Sequence, residues 1–87
     1  MEIQELLALN LRRIRVAKNI SQDELALRAG VERAYVGYLE RGKKNPTLKT
    51  LVKLASALEC EVAVLLIKET NQEYEVNNIK PGRKKSL

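Results

Sequence analysis

The sequence predicts an all-α chain of five short helices, and three observations carry that expectation. Apolar residues recur at three- and four-residue spacing through most of the chain. Residues that start or stop helices stand at the ends of those apolar runs. The segment from Ser21 to Gly42 reads as two short helices joined by a tight turn. Its 87 residues make one domain with a small core, marginal as a monomer unless something adds buried area.

Ile3, Leu6, Leu7, Leu11 and Ile14, with Ile20 past the turn, predict an amphipathic first helix over about residues 2 to 18. Asn19 closes it, because asparagine tolerates the left-handed conformation that such a stop demands. Ser21 can accept from the backbone N–H of Glu24 while Glu24 reaches back, a capping box that starts a second helix from Gln22 to Ala29. Leu25, Ala26 and Ala29 turn inward on it. Gly30 supplies positive φ where the chain leaves that helix, and Val31 is the apolar plug before the next.

The third helix, Arg33 to Arg41, buries Val36 and Leu39 and ends at Gly42. Pro46 belongs in a loop or a first turn, and Thr47 caps a fourth helix with Leu48, Leu51, Val52, Leu54, Ala55 and Leu58 as its core stripe. Glu59 and Cys60 make a brief connection. Val62, Val64, Leu65, Leu66 and Ile67 then form a short fifth helix. The domain therefore spans 1–67, and 68–87 is a polar, basic tail expected to be flexible. Within it Tyr74, Val76 and Ile79 leave open a short strand or a contact with a partner subunit.

Composition narrows the chemistry. The chain has no histidine and one cysteine, so a zinc site, a histidine-dependent active site and an internal disulfide have no residues to build them. Neither a metal cluster nor a nucleophile–base pair can be assembled, so no cofactor and no enzyme activity are expected. No run of 18 apolar residues exists and the N-terminus lacks the basic start of a signal peptide, which points to a cytoplasmic chain without a membrane partner. The net charge of +5 suits a polyanion. Its distribution says more, because residues 41 to 58 hold Arg41, Lys43, Lys44, Lys49 and Lys53 and no acid.

Two short helices with this turn make a helix-turn-helix, whose second helix enters the major groove of DNA. Ser21-Gln22, Glu24-Leu25-Ala26, Gly30-Val31, Leu39-Glu40-Arg41-Gly42, Asn45-Pro46 and Leu54-Ala55 with Ala57-Leu58 resemble the phage repressor and Cro-like helix-turn-helix family from about Leu11 to Leu66. Arg33-Ala34-Tyr35-Val36 and the run Glu40 to Pro46 look most like the small regulators that include restriction-modification controller proteins. The resemblance implies a five-helix repressor-like DNA-binding domain, with the helix-turn-helix at its second and third helices. It also implies that Arg15 and Glu40 pair inside the domain, tying the first helix to the third.

With Val36 and Leu39 inward, Ala34, Gly37, Tyr38 and Arg41 lie opposite, flanked by Arg33 and Tyr35. Arg33 is the best-placed base reader, since a guanidinium can donate twice to guanine. Tyr38 can pack on a thymine methyl and bond a phosphate or base edge, whereas Tyr35 suits core packing and DNA contact equally. Ala34 lets the helix approach closely. Glu32, where the family usually has Ser, Thr or Asp, can accept from cytosine N4. Gln22 is placed to hold a phosphate with the first-turn N–H groups, the family's phosphate anchor, and Arg41, Lys43, Lys44 and Asn45 are the further candidates for the sugar-phosphate backbone.

The apolar run Val62, Leu65, Leu66 and Ile67 exceeds what one face of a small domain needs and predicts a two-fold homodimer through the fifth helix, unless it only completes the monomer core. Cys60 reads as a small buried hydrophobe. The first functional reading is a homodimeric transcription regulator on a palindromic operator. The alternative is a protein-interaction module, an antitoxin or adaptor, on the same fold.

Overall fold

The computed structural model describes residues 1–68, which hold five helices and no strand. They are α1 (Ile3–Ala17), α2 (Gln22–Ala29), α3 (Arg33–Glu40), α4 (Leu48–Ala57) and α5 (Val62–Leu65). The expectations for Tyr74, Val76, Ile79 and most of the tail lie outside the described residues.

Four of the five helices stop in the same way. After α1, the N–H of Ile20 donates to Arg15 O and that of Asn19 to Val16 O. The same pair of bonds recurs at Val31 and Gly30 after α2, at Lys43 and Gly42 after α3, and at Cys60 and Glu59 after α4. This Schellman arrangement requires one residue in the left-handed region. Asn19, Gly30, Gly42 and Glu59 occupy it, with φ of 59°, 71°, 71° and 56°. The residue that follows packs inward three times, as Ile20, Val31 and Cys60. After α3 it is the exposed Lys43. Thus the chain turns back into its core after α1, α2 and α4, and outward to solvent only where α3 ends.

Cys60 is buried behind α4 as expected, and burial pushes its thiol up to about 11, away from the thiolate. Its surroundings are the single core, which unites Leu7, Leu11 and Ile14 of α1 with Leu25, Ala26 and Ala29 of α2, Val36 and Leu39 of α3, and Leu51, Leu54 and Leu58 at α4. Packing joins α2 to α3, α1 to α3, α2 to α4, and α5 to both α1 and α4. The two central helices are thereby held from behind while one side of α3 stays open.

Several expectations are corrected. Leu48 and Val52 do not belong to the α4 core stripe, being 77% and 56% exposed. Val52 stands ~110° from the stripe's centre at 100° per residue, and Leu48 sits in the first turn, ahead of the covered surface. Ile3 is exposed for the same end-of-helix reason. Leu65 is fully buried at 0% exposure, so the monomer core consumes a side chain expected at a dimer interface. Val62, Leu66 and Ile67 are half-buried against that core.

The fifth helix also ends early, at Leu65. Buried Asn10 of α1 donates through Nδ2 to the carbonyls of Leu65 at 3.0 Å and Ile67 at 2.9 Å, which ties down the chain as it leaves α5. Those acceptors lack helical partners, so the asparagine satisfies groups that burial would otherwise penalise. At the start of α2, Ser21 Oγ accepts from Glu24 N at 2.9 Å, but only this half of the expected capping box forms. The Glu24 carboxylate pairs with Arg28 one turn on instead.

Candidate nucleic-acid interface

The open side of α3 rests on a charged joint behind it. Glu40, in the last turn of α3, accepts from Arg15 Nε at 2.6 Å, from Arg15 Nη2 at 3.1 Å and from Gln22 Nε2 at 2.9 Å. Arg15 Nη1 donates to Ile20 O at 2.8 Å. One carboxylate thus ties the end of α1, the start of α2 and the end of α3. The side chains of Arg15 and Glu40 are only 13% and 3% exposed, and a charge buried to that extent needs all of these partners. Gln22 was expected to offer its amide to a phosphate, yet its Nε2 is committed to Glu40, so it is the first-turn backbone N–H groups that remain on that side.

The outer face of α3 has a different character. Arg33, its first residue, is exposed and donates from Nε to Asp23 Oδ1 of α2 at 3.0 Å. Asp23 carried no expectation from the sequence. Ala34 and Tyr38 are exposed as expected, and Tyr35 is half-buried against the core. The Tyr38 ring is flanked by two cations, with the Arg41 guanidinium carbon 5.1 Å and Lys44 Nζ 5.6 Å from its centroid. These contacts hold an exposed aromatic and two positive charges together at the end of α3.

Gly37 faces outward as the helical wheel requires, but it is buried, because side chains lie across it. A β-carbon there would stand 3.4 Å from Arg41 Nη1 and 3.9 Å from Arg33 Nη1. Glu32 caps α3 with extended backbone and no side-chain bond, so its carboxylate is left on the surface at the helix start. Beyond α3, Lys43, Lys44, Asn45, Lys49 and Lys53 are all exposed, so the basic side chains of the acid-free stretch reach solvent. Among the described residues no cluster of acids and cysteine has the makings of a metal site, and no helix is long and apolar enough to cross a membrane.

The family model described as helix-turn-helix matches residues 11–65 of this chain. The chain belongs to the helix-turn-helix family. Control protein C.SmaI of Serratia marcescens is 45% identical over 69 residues, covering 79% of this chain and 82% of that protein. The restriction-modification controller protein C.AhdI from Aeromonas hydrophila has a similar structure, with a TM-score of 0.70 and 42% identity over 71% of this chain and 94% of that one. The hypothetical transcription factor NHTF from Neisseria superposes with a TM-score of 0.74 at 34% identity, over 87% and 84% of the two chains. This helix-turn-helix protein is accordingly a DNA-binding transcription regulator of the Cro/C1 type and not an enzyme.

Within the helix-turn-helix, the structure brings Arg33, Ala34, Tyr38, Arg41 and Lys44 to one face and withdraws Tyr35 toward the core. Sequence reasoning missed Asp23 and Asn10. An asparagine inside the apolar stripe of α1, between Leu7 and Ile14, was a legible anomaly, since a polar residue there must find partners. Asp23 carried no comparable signal.

Proposed function

We propose that the chain is a sequence-specific regulator that binds a palindromic operator as a homodimer, reading the major groove with α3. The observation that carries this reading is the contrast within α3. Its inner side is locked to α1 and α2 through Glu40, while its outer side presents exposed Arg33, Ala34, Tyr38 and Arg41, with Asp23 bonded to Arg33 and Lys44 beside the Tyr38 ring. In this reading Arg33 donates to a guanine and Tyr38 and Ala34 meet thymine methyls, with Glu32 near a cytosine amine. Tyr35 stands at the edge, holding α3 to the core. Arg41, Lys43, Lys44, Asn45 and the first turn of α2 at Gln22 grip the backbone.

Dimerisation is supported by apolar surface that the core leaves uncovered. Ile3 and Leu66 share with Leu7, Pro46 and Leu51 a shallow groove of about 140 Å³, and Leu48 and Val52 stand exposed on α4. A second copy related by a two-fold axis would cover α4 and α5 and half-buried Val62, Leu66 and Ile67, with the two α3 helices about 34 Å apart on one side. The relatives that are restriction-modification controllers support a control role of that kind in the cytoplasm.

Selection of bound sequences from a randomised duplex pool tests both parts together. Two inverted half-sites one helical turn apart are expected, with a dimer in sedimentation at micromolar concentration. Val52→Glu, at an exposed position, should leave a folded monomer of weaker operator affinity. A strictly monomeric wild-type chain that binds without cooperativity would end the dimer model. Failure to enrich any sequence would favour a protein-binding antitoxin or adaptor.

A further inference from the structure

A long side chain on a helix surface samples many rotamers, and the freedom it surrenders on binding weakens the contact it makes. Arg33 has surrendered part of that freedom already. Its Nε donates to Asp23 Oδ1 at 3.0 Å, and the two residues sit in the first turns of α3 and α2, so the bond spans the turn between the helices. A carboxylate on Nε leaves the two Nη groups, which form the end-on pair of donors that fits O6 and N7 of guanine. Nη1 also lies 3.9 Å from where Gly37 would carry a β-carbon, beside Arg41 Nη1 at 3.4 Å. The bare backbone at Gly37 admits both guanidinium groups to the middle of the exposed face.

We infer that Asp23 is a positioning residue for base readout, whose carboxylate steers Arg33 across Gly37 and so sets base preference without touching a base. The inference rests on the assignment of Arg33 as a base reader. A competing effect of Asp23, plain repulsion of the DNA backbone, has a different signature, because it changes affinity for all sequences by one factor. Asp23 is exposed, so its replacement leaves the fold intact and the readout clean.

The test measures binding of a duplex selected by the unmodified chain, and of its single-base-pair variants, by Asp23→Ala, Asp23→Asn, Arg33→Ala and the double variant Asp23→Ala with Arg33→Ala. Asp23→Ala should lower discrimination roughly 3- to 10-fold at the position that Arg33→Ala flattens, and nowhere else. Asp23→Asn keeps an acceptor oxygen without the charge and should retain part of the preference. In the Arg33→Ala background the Asp23 change should alter preference no further. A uniform affinity gain with preference intact, or equal behaviour of the Ala and Asn variants, would overturn the inference in favour of repulsion. If Arg33→Ala itself leaves preference unchanged, the base-reading assignment falls first, a result distinct from the others.

Discussion

Two arginine–carboxylate pairs hold α3, one on each side, and they do opposite work. Arg15 and Glu40 are nearly sealed from water, and the carboxylate takes three donors. Arg33 and Asp23, 58% and 82% exposed, share a single bond. Solvent and salt screen the second pair, so it contributes at most about 1 kcal/mol to the fold. The first pair cannot be broken from one side without leaving a buried charge. The same chemistry thus frames the helix where water is excluded and leaves it adjustable where a ligand must arrive.

The largest test of that contrast is Glu40→Ala. Stranding Arg15 and Gln22 should cost roughly 3 to 5 kcal/mol of stability in urea unfolding, enough to unfold much of so small a domain. A loss below about 1 kcal/mol would mean that the joint is not the frame of α3. On the other side, Arg33→Ala should change stability by less than ~0.5 kcal/mol yet remove roughly 1 to 3 kcal/mol of discrimination at one base pair per half-site. Substantial destabilisation by this variant would erase the distinction between the two pairs.

A finer probe is Gly37→Ala. Gly37 lies within a helix and has no positive φ, so alanine should stabilise the fold by up to ~1 kcal/mol. The added methyl meets the ends of Arg41 and Arg33, and DNA affinity should fall as stability rises. If thermal melting and DNA binding improve together, the bare backbone has no role in seating the guanidinium groups.

Burial of Cys60 gives an effect confined to alkaline pH. Its folded-state value of about 11 lies above the ordinary 9.0, so its contribution is complete below pH 9 and is lost as the pH rises toward 11, because the unfolded chain ionises first. Cys60→Ala should show a shallower loss of stability across that window.

Helix punctuation was readable because it is local. Ser21, Asn19, Gly30, Gly42 and Thr47 act through the backbone within a few residues of themselves, and each does in the structure what its type demands, except that Glu24 turns to Arg28. Glu59 escaped notice in the left-handed region, since nothing in a glutamate announces that conformation. The inward set Val36 and Leu39 and the outward set Ala34 and Tyr38 followed from helical phase alone. Arg15 and Glu40 were reached only through family resemblance, being 25 residues apart with no local relation.

The sequence by itself determined, to within about a residue, where the first four helices begin and end and which face of α3 is offered to solvent, because cap chemistry and the 3.6-residue period act over short range. Tertiary structure alone decided that Leu65 is core while Leu48 and Val52 are surface, and that Asn10 holds the chain beyond α5. It also decided that Gln22 turns to Glu40 and Asp23 to Arg33. Periodicity names the apolar side of a helix. Only packed neighbours set how far along that side the core extends, and which charge meets which.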